Sequence, residues 1–329
     1  MIITLTANPS LDRTVELPGA LARGEVQRAT AVRSEAGGKG VNVSRALTAS
    51  GLKTVAVLPG DPTDPVVVGL ASTGIPHQAL PIGAPLRSNI TLTEPDGTTT
   101  KVNEPGPELT ADQRDALTAL LLNESREASW VVLAGSLPPG FPADYYARLT
   151  RWLRTELGSD APRIAVDSSG TPLLEAINAG ADAAPDLLKP NGEELAELAA
   201  LAGFSEQHSG DELEADPVLA ARAATAVVER GVGAVLATLG SKGAVLVTAD
   251  GAWHASHAPI QAVSTVGAGD SSLAGYLLQA ENGGSAVECL TQAVAHGAAA
   301  ASLPGSTVPG LDQTTPDAVT VTALAKDSL

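Results

Sequence analysis

The sequence predicts a doubly wound α/β fold, a mostly parallel sheet flanked by helices, and three observations carry that expectation. Short apolar runs bounded by Gly, Ser or Asp recur along the 329 residues, helical patterns lie between them, and only 2% of residues are aromatic. The alternation is that of parallel strands with crossover helices. A core this poor in aromatics must be filled by Ala, Val and Leu, which suits strands buried on both faces beneath Ala-rich helices.

Taken in order, residues 2–7 read as an apolar strand that stops at Asn8-Pro9, and residues 131–134, 164–166 and 235–239 are similar runs. Apolar spacing of three and four predicts helices over 40–49, 112–122, 144–157, 193–201 and 218–228. Two stretches break the rhythm. Val15-Glu16-Leu17 and Asn89-Ile90-Thr91-Leu92-Thr93 alternate polar and apolar without a helix between them, and Pro95-Asp96-Gly97 is a turn signal leading into a second strand. These predict a small half-exposed sheet, a lid inserted at about 11–35 and 86–103 into a single domain spanning 1–329. Its exposed face would need cover, which a second subunit supplies. The polar, acidic run 205–216 reads as a surface loop, and residues after Pro316, 317–329, as a flexible tail.

With 20 Lys and Arg against 37 Asp and Glu, the net charge of −17 opposes non-specific binding to nucleic acid or an anionic membrane. Any phosphorylated ligand would need a local basic pocket. Cys289 is the sole cysteine, so no intrachain disulfide forms. The opening residues lack a basic n-region and no apolar run reaches spanning length, so a cytoplasmic location is expected.

The strongest local signal is Gly267-Ala268-Gly269-Asp270, followed by an apolar helical pattern. Small residues at a helix N-terminus let backbone N–H groups approach a phosphoryl group. Asp270 at that mouth suits accepting a proton from an attacking hydroxyl; an ordinary helix cap has the same local sequence. Gly37-Gly38-Lys39-Gly40-Val41-Asn42 precedes a helix, where Lys39 and Asn42 could reach polyol or phosphate oxygens. It is no Walker A loop, since position 33 is Arg and Gly40 follows Lys39. Lys189-Pro190-Asn191-Gly192-Glu193-Glu194 lies at a strand-to-helix turn: Lys189 could touch phosphates, and Asn191 and Glu194 share a helix face fit to hold Mg²⁺ through water, or simply to cap the helix. The turn holding Thr238, Gly240, Ser241 and Gly243 could line a nucleotide or be a plain hairpin. Lys39, Arg45, Arg87 and Lys101 are candidate phosphate ligands, the last two on the lid; Ser136 in Gly135-Ser136-Leu137-Pro138 is a strand-end polyol ligand, and His296 a helix residue that packs or borders an adenine.

As an ordered set, Asn8-Pro9-Ser10-Leu11-Asp12, Gly37-Gly38-Lys39-Gly40-Val41-Asn42, Gly135-Ser136-Leu137-Pro138, Lys189-Pro190-Asn191 with Glu194, and Gly267-Ala268-Gly269-Asp270 closely resemble the ribokinase-like PfkB family of carbohydrate kinases over about residues 1–305. Asn103-Glu104-Pro105-Gly106-Pro107 places the resemblance in the hexose-phosphate branch, that of bacterial 1-phosphofructokinases and tagatose-6-phosphate kinases. Ser272 departs from it, since many relatives carry a larger apolar residue there. The resemblance implies a ribokinase-like domain whose β lid closes over the sugar and often forms a dimer. It assigns Asp12, Gly38, Lys39 and Asn42 to the sugar, Arg87 to its phosphate, Asp270 to the base and the 267–270 backbone to the anion hole. Lys189 and the 238–243 turn would serve ATP, with Asn191 and Glu194 positioning Mg²⁺. The implied reaction is ATP-dependent phosphorylation of fructose 1-phosphate, with tagatose 6-phosphate and fructose 6-phosphate as rival acceptors. A non-catalytic sugar-phosphate sensor is the rival of another class, and it would have no need of a base.

Overall fold

The computed structural model describes residues 1–325. Its first half forms β1 (Ile2–Thr6), β2 (Ser10–Glu16), β3 (Ala31–Gly37), α1 (Lys39–Ala49), β4 (Thr54–Pro59), α2 (Pro65–Ser72), β5 (His77–Leu80), β6 (Arg87–Thr93), β7 (Thr99–Asn103) and α3 (Ala111–Ser125). There follow β8 (Trp130–Ala134), α4 (Tyr145–Leu157), β9 (Arg163–Asp167), α5 (Gly170–Asn178), β10 (Leu187–Leu188), α6 (Gly192–Ala202), α7 (Gly210–Ala215) and α8 (Pro217–Val228). The chain ends with β11 (Ala234–Thr238), β12 (Ala244–Thr248), β13 (Gly251–His257), α9 (Ala268–Glu281), α10 (Ala286–Ala301) and β14 (Val319–Leu324).

The main sheet runs β14-β13-β12-β11-β10-β9-β8-β1-β4-β5, parallel from β5 to β11 and antiparallel beyond. Alternate residues of each strand face opposite layers. Ile3, Leu5, Val131, Leu133, Ile164 and Val166 pack under α3 to α8, while Ile2, Trp130, Val132, Ala134 and Ala165 pack under α1, α9 and α10. Burial on both faces is why these strands read as continuous apolar runs. The helices start where the sequence supplies caps: Thr110 with Gln113 on α3, Ser285 with Glu288 on α10, and Asp216 followed by Pro217 on α8.

The lid is a separate four-stranded sheet, β3-β2-β6-β7, with β6-β7 closed by the Pro95-Asp96-Gly97 turn. Two expectations are corrected. The supposed loop 205–216 contains α7, nucleated because Ser209 and Glu212 cap each other's backbone N–H groups. The supposed tail contributes β14, which pairs with β13 from Ala252↔Leu324 to His257↔Val319; residues 326–329 lie outside the described residues. No helix among the described residues is long and apolar enough to cross a membrane.

Candidate active site

Strand order reverses between β1 and β8, and open α/β sheets bind ligands beyond the carboxyl ends of strands at such a point. There β1 leads to Asn8, β8 to Gly135-Ser136, β9 ends in Asp167, β10 leads to Lys189 and β11 to the 238–243 turn. Two helix N-termini frame the site. Gly38 precedes α1 at φ +113°, a conformation that disfavours a side chain, and a Cβ there would meet Thr6 Cγ2 at 2.7 Å. Gly267 precedes α9 at φ +77°.

Charge is concentrated below these termini. Lys39 Nζ lies 2.7 Å from Asp167 Oδ1 and 3.6 Å from Glu194 Oε1, and Lys189 Nζ lies 3.2 Å from Asp167 Oδ2. Asp167 is fully buried, and burial alone would raise its pKa. The Lys189 and Lys39 ammoniums outweigh that and hold it below the ordinary carboxylate value. Asp270, on the first turn of α9, accepts a hydrogen bond from Asn42 Nδ2 at 2.8 Å. Its carboxyl is pushed up to about 6, first by burial and then by the charge of Asp167, against the pull of Lys39, Asn42 and Lys189. A carboxyl poised there is ionised at neutral pH and basic enough to take a hydroxyl proton. A Cβ on Gly269 would stand 3.2 Å from Lys189 Nζ, so the lysine lies directly against the small-residue turn.

The lid adds a second polar group. Asp12, Asn89 and Asn103 sit opposite one another across β2, β6 and β7, hence on one face. Asp12 Oδ1 accepts from Ser10 Oγ at 2.7 Å and Asn89 Nδ2 at 3.0 Å. Burial raises its pKa, opposed by those two donors, Arg87 and Arg45. Gly37 lies so close to this carboxylate that a Cβ would run into it. Arg87 heads β6 and donates through Nη1 to the Glu104 carbonyl at 3.2 Å, while its buried Nε has no hydrogen-bond partner among the described residues. It borders a cavity of about 510 Å³ lined also by Asn8, Pro105, Ser136 and Leu137. Asn8 Nδ2 ties the walls together, donating to the Pro105 carbonyl at 3.0 Å and Ser136 Oγ at 3.3 Å.

The structure thus brings Lys39, Asn42, Lys189, Glu194, Gly269 and Asp270 into one cluster, and Asp12, Gly37 and Arg87 onto the facing lid. Asn191 and Glu194 cap α6 reciprocally: Asn191 Oδ1 accepts from Glu194 N at 2.8 Å, and Glu194 Oε2 from Asn191 N at 2.9 Å. Thr238 donates its backbone N–H to the Pro190 carbonyl at 2.9 Å, so the 238–243 turn abuts the Lys189 segment. That turn is also the β11-β12 hairpin, in which Gly243 at φ +90° leaves no room for a Cβ against the Ala255 carbonyl. Lys101 and Asn103 are exposed on β7, Lys101 one row beyond Asn103 and opposite Thr91. His296 is fully buried, bonded to Ser50 and Gln292, and packs between helices. Sequence reading passed over Asp167, Asn89 and the side chain of Asn8. Asp167 alone left a signal, as an acidic residue ending a buried parallel strand.

Comparison with known proteins identifies the family. The pfkB family carbohydrate kinase description matches residues 6–313. An ATP-dependent 6-phosphofructokinase isozyme 2 of Mycobacterium tuberculosis is 35% identical over 311 residues, 93% of this chain and 85% of the relative. The 1-phosphofructokinase of Xanthomonas campestris is 34% identical over 285 residues, 83% of this chain and 82% of the relative. Among solved structures, phosphofructokinase-2 from Escherichia coli in complex with substrates and products superposes with a TM-score of 0.82 at 29% identity, covering 95% of this chain and 96% of that one. The ordered motifs, the doubly wound sheet with its β lid and the carboxylate at the α9 N-terminus have one explanation: this chain belongs to the pfkB family of carbohydrate kinases and is a sugar-phosphate phosphotransferase.

Proposed function

We propose that the chain transfers the γ-phosphoryl group of ATP to the free primary hydroxyl of fructose 1-phosphate, giving fructose 1,6-bisphosphate. The observation that carries this reading is the opposition of two charged centres. Asp270 lies beside Lys39 and Lys189 at one helix N-terminus, while Arg87, with a buried unpartnered Nε, opens on the cavity bounded by Asn8 and Ser136. A sugar phosphate bridging them places its phosphate at Arg87 and a distal hydroxyl at Asp270. The hydroxyl oxygen attacks the γ-phosphorus, its proton passes to Asp270, and the bond to the β–γ bridging oxygen breaks to release ADP. The backbone of 267–270 and Lys189 offset the charge spread over the transferring group. Asp12 and Asn89 hold ring hydroxyls, and lid closure excludes water that would otherwise take the phosphoryl group.

Asn191 and Glu194 spend one oxygen each on their mutual cap, leaving Glu194 Oε1 toward Lys39. No group of three or more His, Cys, Asp or Glu side chains among the described residues forms a ligand set. Glu194 Oε1 and the second lone pair of Asn191 Oδ1 remain as acceptors for hydrogen bonds from metal-bound water. Held that way with the ATP phosphates, Mg²⁺ supplies further positive charge.

The outer face of the lid, which carries Val15, Val32, Ile90, Leu92 and Val102 around Arg13, supports a homodimer formed through it. Phosphorylation of fructose 6-phosphate is the second reading, favoured by the mycobacterial relative. An ATP-consumption assay against fructose 1-phosphate, fructose 6-phosphate and tagatose 6-phosphate separates them. The highest kcat/KM is expected on fructose 1-phosphate; a tenfold preference for another acceptor, on the order of 1.4 kcal/mol, refutes the assignment.

A further inference from the structure

Asn42 presents a problem that its own side chain cannot solve. A carboxamide has a donor end and an acceptor end of nearly the same shape, and only the donor end suits a carboxylate. Asn42 is 6% exposed, so solvent does not decide which end faces Asp270. Its Nδ2 donates to Asp270 Oδ2 at 2.8 Å, while its Oδ1 accepts from Arg45 Nη1 at 3.3 Å. Turned by half, the amide would oppose its oxygen to the Asp270 carboxylate and its NH₂ to the guanidinium. Arg45 lies three residues further along α1, on the same face. The guanidinium is itself held from the lid: Nη1 reaches the Ala36 carbonyl and Nη2 the Glu35 carboxylate, each at 3.4 Å. Glu35 also accepts the Ser306 hydroxyl and sits opposite Asp12 across the β2-β3 pair.

We infer that Arg45 is a positioning residue: its guanidinium fixes the donor end of Asn42 toward the base and ties that orientation to lid strand β3. The path runs Glu35, Arg45, Asn42, Asp270, from a strand that borders the sugar site to the group that takes the proton. The Arg45 contacts, at 3.3–3.4 Å, stand at the long end of hydrogen-bond range, so movement of β3 as the lid closes has room to tighten them. Arg45 thereby couples lid position to the base. This deepens the proposed function and rests on Asp270 being the base. The groups that face Asp270 are Lys39 and Asn42 from α1, Asp167 from the end of β9 and Lys189 after β10, with Arg45 beyond Asn42. Of these, the Asn42 N–H favours the ionised carboxyl, and a turned amide would disfavour it.

The test compares Arg45→Met, Arg45→Lys, Asn42→Ala and the Arg45→Met/Asn42→Ala pair. Two readouts are taken: the ¹³C carboxyl titration of Asp270 in the substrate-free protein, assigned with Asp270→Asn, and the pH dependence of kcat. Arg45→Met should raise the Asp270 midpoint by about one pH unit and lower kcat about tenfold, leaving the KM for ATP within about twofold. Arg45→Lys, which keeps a donor toward Asn42, should recover most of both. In the Asn42→Ala background, Arg45→Met should move neither, because the arginine acts through the amide. An unchanged midpoint in Arg45→Met, or an equal effect with Asn42 absent, overturns the inference. Should Arg45→Met not fold, Glu35→Gln loosens the guanidinium from the lid side and must raise the midpoint in the same direction. The titration needs no turnover, so a shifted midpoint in a protein inactive on all three acceptors would refute the fructose 1-phosphate assignment and leave the orientation of Asn42 by Arg45 standing.

Discussion

At Asp270 the burial that tunes the proposed base also works against the fold. Its carboxyl titrates at about 6 in the folded protein against 3.8 for the unperturbed group. Between those values the folded state binds more protons than the unfolded, so stability falls as pH rises through that window and stays reduced above it. Asp270→Asn removes the buried charge. The variant should unfold at a higher temperature than wild type at pH 7.5, by the equivalent of about 1–3 kcal/mol, and lose that advantage below about pH 4. It should also lose about 10³-fold or more in kcat while still binding ATP. Thermal unfolding across pH, single-turnover assay and ATP titration check the three parts. Near-normal turnover removes Asp270 from the role of base. Asp270 was legible in the sequence because its small-residue turn is local. Asp167 left only the signal of an acidic residue ending a buried strand, because the ammoniums that hold it, Lys39 of α1 and Lys189 after β10, reach it only in the folded chain.

On the scale of elements, the α9 N-terminus and the Lys189 segment form one device. Gly269 has no special backbone conformation, and Ala is the better helix former by about 1 kcal/mol. A Cβ there would press on Lys189 Nζ at 3.2 Å, and that side chain, 5% exposed and pinned to Asp167, has little room to yield. Gly269→Ala is therefore expected to leave thermal stability unchanged or slightly raised while lowering kcat by about 10- to 100-fold, the cost of misplacing a charged group by a fraction of an ångström. An equal loss of stability and activity would mean that the glycine serves packing alone. The two elements missed from sequence lie in a short acidic run and at the end of the chain. The six residues of α7 are too few to show a helical repeat, and its start is set by the Ser209–Glu212 cap. Strand β14, Val-Thr-Val-Thr-Ala-Leu, alternates half-buried and exposed residues over its first four positions and pairs along the free edge of β13.

For the whole molecule, the two faces of the lid decide how the protein presents itself. The face with Asp12, Asn89 and Arg87 turns to the site, and the opposite face carries Leu11, Val15, Val32, Ile90, Leu92 and Val102. The inner end of that face is covered, since Leu11 and Ala36 pack with Val66 and Leu70 of α2. The outer end is open: Val32 is 51% exposed and Val102 54%. Repulsion between chains of net charge −17 opposes association, so a contact that forms here must bury this apolar patch closely. The proposed dimer rests the lid of one subunit against that of the other, and a lid so braced closes on its sugar at lower entropic cost. Val32→Glu with Val102→Glu places two carboxylates in that contact and leaves the site face untouched. Sedimentation velocity should then show a monomer where wild type is a dimer, and the KM for the sugar phosphate should rise about tenfold with the KM for ATP little changed. A double variant that sediments as wild type, or a wild type that is monomeric at assay concentration with full activity, would show that the lid closes unaided.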